Sequence, residues 1–178
     1  MAFGRNPRKL MTEAELYEYA IGALGRRMRS VAELKRLLRR RVEPGELGET
    51  LVELIIVRLK DQKYLNDAQY AASYSSFRKE NEKFGRLRVV SDLKARGVHP
   101  EVIEKAVGSI YDETSEEQLA RQYLARKRVR KPANERQAAK IFRSLMRAGF
   151  SRRVAVRILK QWDVEEEVLS ALEEDQLT

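Results

Sequence analysis

The chain has 178 residues, with 36 Lys and Arg against 27 Asp and Glu, so its net charge is +9. It contains no cysteine and one histidine, which excludes disulfide frameworks, cysteine-ligated zinc, iron–sulfur clusters and thiol nucleophiles. A basic chain of this kind is typical of proteins that bind polyanions, and the lack of any run of about 18 apolar residues predicts a cytoplasmic protein that does not enter a membrane.

Apolar residues recur at steps of three and four in almost every part of the chain, and this period predicts an all-α fold. The first three helices are predicted over residues 12–27, 30–41 and 46–62. Thr12 and Ser30 each precede a glutamate by three residues, which is the spacing of a capping box at a helix start.

The middle of the chain predicts helices over residues 66–80, 85–97 and 100–111. Gly97 is expected to end the second of them, because a left-handed cap costs least at glycine. Pro100 is expected in the first turn of the third, where the missing N–H does no harm.

The last part of the chain predicts helices over residues 115–130, 134–149 and 151–162. A short acidic helix follows, since residues 163–175 hold seven acids and no base. Its apolar residues could dock it beside the basic segment upstream, where it would act as an electrostatic shield. The alternative is a helix that only improves solubility.

These helices repeat as groups of three. Residues 68–79 align with 117–128, and residues 89–98 with 141–150, so that tyrosine falls on tyrosine in the first pair and glycine on glycine in the second. The first group aligns more loosely. The chain therefore predicts three tandem three-helix repeats of about 50 residues.

Three-helix units of this size gain stability from their neighbours, which predicts an elongated, curved array of repeats. Compact packing of nine helices is the alternative, and small-angle scattering distinguishes the two shapes. The predicted divisions are a basic tail, three repeats and an acidic C-terminal helix, at residues 1–11, 12–63, 64–113, 114–162 and 163–178.

One predicted helix, over residues 134–149, has a row of basic residues on the side opposite its apolar residues. The row consists of Arg136, Lys140, Arg143 and Arg147. Residues 126–160 hold 13 bases and a single acid, Glu135. Like charges on one face repel, so the row favours anion binding over a merely solvated surface.

A second basic group lies near the N-terminus, where residues 26–41 hold eight bases and one acid. Arginine suits bidentate contacts with phosphate or carboxylate. The predicted nucleic-acid or filament-binding residues are Lys35, Arg36, Arg39, Arg40, Arg128, Arg130, Lys131, Arg136, Lys140, Arg143, Arg147, Arg152, Arg153 and Arg157.

The aromatic residues predict packing more than recognition. Tyr70, Tyr74 and Phe77 recur at the spacing of one helix face, so we expect them in a core and not stacked on bases. Trp162 is expected to cover the core of the third repeat.

Motifs for catalysis are missing from the sequence. No phosphate-binding loop occurs, because Gly22 and Gly25 lie within a helical segment without the lysine that such a loop needs. His99 before Pro100 suits a helix start better than a general base. The sequence predicts a protein that is not an enzyme and has no cofactor or metal.

Two segments resemble a known family. Tyr64-Leu65-Asn66-Asp67-Ala68-Gln69-Tyr70-Ala71, followed by Arg78, Gly85 and Leu93-Lys94-Ala95-Arg96-Gly97-Val98, closely resembles the central repeat of the RecX family, the bacterial regulators of the RecA recombinase. Residues 29–34 with Leu37 are similar to that family's first repeat. The resemblance covers about residues 14–162.

The resemblance implies an all-helical modulator of DNA repair and homologous recombination, and we expect the protein to be a monomer. Its partners would be the RecA filament and single-stranded DNA, or duplex DNA, and its effect would be to inhibit the ATPase and strand exchange. A stand-alone DNA-binding protein of helix-turn-helix type is one alternative. A scaffold repeat that binds only protein is another.

Overall fold

The computed structural model describes residues 10–174, so most of the predicted basic tail and the last four residues lie outside the described part. Within that part the chain forms ten α-helices and one π-helical turn, without a strand, which confirms the all-α fold. The helices are α1 (Glu13–Arg26), α2 (Val31–Leu38), α3 (Glu46–Asp61), α4 (Asp67–Phe77), α5 (Arg86–Ala95), α6 (Pro100–Tyr111), α7 (Glu116–Arg126), α8 (Glu135–Arg147), α9 (Arg152–Lys160) and α10 (Glu166–Glu174). The π-helical turn, Arg78–Glu82, continues α4.

Both predicted capping boxes are confirmed. The Thr12 hydroxyl accepts from the backbone N–H of Glu15, and the carboxylate of Glu15 accepts from the N–H of Thr12 at 3.0 Å. Ser30 and Glu33 make the same pair of bonds, at 3.1 and 3.2 Å. Such reciprocal bonds satisfy donors that a helix start otherwise leaves open, so these starts were readable from local sequence.

Two helices end earlier than predicted. α2 ends at Leu38, and α7 ends at Arg126. After α7 the chain turns through a left-handed residue, Arg128 with φ 53°, and the N–H of Val129 donates to the carbonyl of Leu124 at 3.0 Å. This six-to-one bond is the closing bond of a Schellman motif.

The repeats predicted from sequence recur as equivalent contacts. In the second repeat the Tyr74 hydroxyl donates to the carboxylate of Asp92 at 3.0 Å. At the aligned positions of the third repeat, the Tyr123 and Ser144 hydroxyls are hydrogen-bonded at 3.3 Å. The same two helices of each repeat are therefore joined at the same point. α10 follows the third repeat as the short acidic helix.

The chain divides into two compact units. The first comprises the described residues up to Tyr70 together with Ala95–His99. Its core is made by fully buried aliphatic residues of α1, α2 and α3, among them Leu16, Leu34 and Ile55.

A polar joint adds to this first unit. The buried Ser30 hydroxyl donates to the carbonyl of Arg96 at 2.6 Å, and the N–H of Val31 donates to the carboxylate of Asp67 at 2.8 Å. The start of α2 is thus closed by residues far away in sequence.

The second unit comprises Ala71–Lys94 and the described residues from Pro100 onward. The ring of Tyr123 lies between two phenylalanine rings, with centroids 6.3 Å from Phe84 and 5.8 Å from Phe150. The apolar sides of α8 and α9 complete this core, and Leu145, Ile158 and neighbouring residues are almost fully buried. This unit holds all the basic residues of the 126–160 segment.

The prediction of one buried aromatic face on α4 is wrong at Phe77. Tyr70 is 5% exposed, but Phe77 is 55% exposed. Beyond Tyr70 the buried positions are Ala71 and Ser75, which lie roughly 100° and 140° further round the helix. The buried face therefore rotates along the helix, whereas a periodicity argument assumes that it stays in place.

No helix among residues 10–174 combines the length and the hydropathy that a membrane-spanning segment needs.

Candidate nucleic-acid interface

α8 presents the predicted row of cations to solvent. Asn134 caps the helix by accepting the N–H of Gln137 on its side-chain oxygen at 3.0 Å. Four positions bury apolar side chains, namely Ala138, Ile141, Phe142 and Leu145. The opposite side carries the α8 row, whose four side chains are all exposed: Arg136, Lys140, Arg143 and Arg147. The predicted division of this helix into a core face and a basic face is therefore what the fold contains.

The charges of the α8 row are not compensated locally. Among the side chains described by the structure, residues 10–172, no carboxylate forms an ion pair with any of the four. Cations three and four residues apart on a helix repel one another. A row of this kind lowers its electrostatic energy when a polyanion lies along it.

The other predicted cations of this segment are in more varied settings. Arg128 and Arg130 are exposed in the link between α7 and α8 and not on a helix, because α7 stops short of them. Arg153 is exposed and Arg152 half-buried at the start of α9. These four also lack an ion-pair partner among the described side chains.

Arg157 is held by a carboxylate of α7 and is not free. Its guanidinium lies 3.2 Å from the carboxylate of Glu117, which also accepts from Arg121 at 3.0 Å and from the Gln161 amide at 3.2 Å. Hydrogen bonds from Arg121, Gln161 and Arg157 lower the pKa of the Glu117 carboxyl to about 2. Arg157 therefore serves first to join α9 to α7.

The basic group of α2 is partly neutralised by α3. Lys35 lies 2.5 Å from the carboxylate of Glu53, and Arg39 makes a bidentate contact with Glu49 at 2.8 Å. The hydrogen bond between them raises the pKa of Arg39 and lowers the pKa of Glu49. Of the four cations predicted here, Arg36 and Arg40 have no ion partner among the described side chains.

Comparison with known proteins places this architecture in a family. A family model described as the second three-helix domain of RecX matches residues 66–107. The regulatory protein RecX of Amycolatopsis mediterranei is 31% identical over 147 residues, which cover 81% of this chain and 81% of that protein. The chain belongs to the RecX family.

Two further RecX proteins define how far the likeness reaches. RecX of Bacillus pumilus is 32% identical over 155 residues, which cover 85% of this chain but 57% of that protein. The chain thus spans little more than half the length of that relative. The crystal structure of RecX from Lactobacillus salivarius has a TM-score of 0.64 at 23% identity, over 85% of this chain and 96% of the other, which shows a shared fold.

The matched RecX domain spans α4 to α6 and does not include the α8 row. A backbone contact at two glycines, which the sequence analysis did not predict, connects the matched domain to α8. The N–H of Gly85 donates to the carbonyl of Ala148 at 2.8 Å, and the N–H of Leu87 donates to the carbonyl of Gly149 at 3.2 Å. The start of α5 is thereby fixed against the end of α8.

This glycine junction leaves no room for side chains. A Cβ added to Gly85 would lie 2.2 Å from the carbonyl oxygen of Gly149. The sequence signal was present, because Gly149 aligns with Gly97, but the repeat alignment indicated only a helix cap. That the backbone of another helix also approaches Gly149 is decided by packing.

The acidic helix of this RecX-family chain is docked on the third repeat. Leu169 and Leu172 of α10 are buried, which fits the predicted role of its apolar residues. Lys131 lies 2.6 Å from Asp163, and Lys160 lies 2.7 Å from Glu166. The hydrogen bond from Lys131 lowers the pKa of Asp163. The acids described here thus neutralise two cations beside the α8 row and none within it.

Proposed function

We propose that this chain regulates a RecA recombinase by binding the RecA–single-stranded-DNA filament and slowing its ATP hydrolysis and strand exchange. Membership of the RecX family supports a regulatory role. The observation that carries the binding surface is the α8 row, four exposed cations without ion partners among the described side chains. Phosphates of a DNA backbone and carboxylates of a protein surface both suit it.

The two basic groups are unequal in this proposal. Because Lys35 and Arg39 already pair with acids of α3, the α2 group has fewer charges to offer a partner. Exposed surface ion pairs contribute little to stability, so a filament could displace them at small cost. The α8 row nevertheless makes the larger contribution.

The direct test is ATP hydrolysis by RecA on single-stranded DNA with this protein titrated in. We expect hydrolysis to fall as the protein is added. An unchanged rate at several-fold excess over the filament would contradict the proposal. If the protein binds naked DNA tightly but leaves hydrolysis unchanged, a stand-alone DNA-binding protein with α8 as its recognition helix is the better description.

We further propose that the acidic segment shields the basic surface from non-specific DNA. Replacing Asp163 by Asn and Glu166 by Gln would free Lys131 and Lys160. Two additional phosphate contacts increase affinity for a single strand by up to about 25-fold in 0.1 M salt. Fluorescence anisotropy with a labelled oligonucleotide measures the change.

A matched control removes two acids elsewhere. Glu101 and Glu104 are exposed on α6, and replacing both by Gln changes the net charge by the same amount. We expect little effect on affinity from this control. If both double variants gained affinity equally, net charge and not the position of the acids would be responsible.

A further inference from the structure

A pocket of about 510 Å³ lies where α8 begins, between that end of the helix and the link from α9 to α10. Its wall includes the indole of Trp162, the only tryptophan in the chain, and the apolar side chains of Val164 and Val168. Trp162 is half-buried, so part of its ring remains accessible. The pocket therefore offers an accessible aromatic surface beside two apolar side chains.

The α8 row leads to this pocket. Arg136, the first cation of the row, also lines the pocket. From Arg136 to Arg147 the row spans roughly 16 Å at 1.5 Å per residue, which is long enough to contact several successive phosphates of one strand. A strand whose phosphates follow the row would bring a nucleotide to the mouth of the pocket.

Besides Arg136 and the Lys131–Asp163 ion pair, the pocket contains two acids that suit a base better than a phosphate. Glu135 and Glu165 both line it, and neither has an ion partner among the described side chains. Carboxylates repel phosphate but accept hydrogen bonds from the exocyclic amino group of cytosine. Aromatic side chains stack on the bases of single strands. The cations of the α8 row thus suit the phosphates of a nucleotide, and the two carboxylates with the indole suit its base.

We propose that this pocket receives one unstacked base of a single strand whose phosphates lie along the α8 row, with Trp162 stacked on the base. This inference rests on the proposed binding of single-stranded DNA, and it adds the feature that makes the protein prefer single strands to duplex DNA. Bases paired in a duplex cannot enter, so single strands are preferred. Nothing in this arrangement requires a particular sequence beyond a base with an amino group.

The fluorescence of Trp162 tests the pocket in the intact protein, because no other tryptophan contributes. The ligands are a twelve-residue deoxycytidine strand, an abasic strand of the same length and a blunt duplex, each labelled so that anisotropy reports binding separately. We expect all three to bind at low salt and only the deoxycytidine strand to quench the tryptophan. Equal quenching by the abasic strand or the duplex would overturn the pocket.

Variants at position 162 give the second measurement. Trp162→Leu removes the stacking surface. We expect it to weaken binding of the deoxycytidine strand about 5- to 150-fold and to leave binding of the abasic strand unchanged. Trp162→Phe keeps an aromatic ring and should retain most of the affinity. If the Trp162→Leu variant does not fold, the quenching of Trp162 fluorescence in the native protein still tests whether a base enters the pocket. Binding of every strand without quenching would overturn the pocket alone, whereas failure of all strands to bind would overturn the DNA contact of the proposed function as well.

Discussion

Removing the α8 row is expected to weaken binding of single-stranded DNA about 600-fold in 0.1 M monovalent salt. The variant combines R136A, K140A, R143A and R147A. Each phosphate contact on a single strand contributes about 0.7 to the slope of log K against log salt, so four contacts contribute about 2.8. Because the counterion contribution to log K vanishes near 1 M salt, the same slope taken over the tenfold decrease to 0.1 M gives the loss of affinity. Anisotropy titrations across a salt series measure both quantities.

The fold should survive these four substitutions. All four side chains are exposed, and the buried residues of α8 lie on the opposite side. Alanine also has the highest intrinsic preference for a helix. Unchanged far-UV circular dichroism is therefore expected alongside the loss of binding and a weaker effect on RecA.

A matched variant separates the row from net charge. It removes four exposed cations that belong neither to α8 nor to the basic group of residues 26–41: Arg58, Lys60, Lys94 and Lys105. Its net charge equals that of the row variant, but its salt slope should stay close to that of the native protein. If the two variants lost the same affinity and slope, binding would follow the overall charge and the row would have no special role.

Replacing Gly149 by alanine is expected to lower the free energy of unfolding by about 2–5 kcal/mol. Gly149 has φ +87°, a conformation in which a Cβ costs roughly 1–2 kcal/mol. The added Cβ would also lie 2.2 Å from the backbone nitrogen of Arg88. Backbone cannot move aside as a side-chain tip can, so α5 and α8 must separate at a cost of roughly 1–3 kcal/mol.

Urea unfolding followed by far-UV circular dichroism, to which the helices of both units contribute, measures this loss, and the fluorescence of Trp162 follows the unit that also holds Gly149. Gly25→Ala is the control. Gly25 lies within α1, and a Cβ there would have nothing within 4 Å, so we expect a gain of roughly 0.5–1 kcal/mol from the lower entropy of the unfolded chain. An unfolding midpoint of Gly149→Ala that matched the native protein would contradict the tight junction.

Much of the fold was predictable because its signals are local. A capping box, such as that of Thr12 and Glu15, lies within four residues, and a helix face repeats every three or four residues. The α8 row could be found for the same reason, since its cations and the apolar residues opposite them lie on one helix. The repeats followed from alignment, and the equivalent contacts of Tyr74 and Tyr123 bear them out.

What failed or was missed depends on distant residues. Sequence could not tell that Glu49 and Glu53 face the cations of α2, although both lie on one side of the following helix. Nor could it tell that Glu117 holds Arg157, 40 residues further on. Phe77 was misplaced because the buried face of α4 rotates along the helix.

For this protein, the sequence by itself determined the helices, their caps, the threefold repetition and the exposed row of cations on α8. Only the tertiary structure decided which cations remain uncompensated, that two glycine backbones meet, and that Trp162 lines a pocket beside the row. The physical reason is the separation along the chain over which each kind of interaction acts. Hydrogen bonding and periodicity act within a few residues of the chain, whereas ion pairs, close backbone contacts and pockets form between segments that only packing brings together.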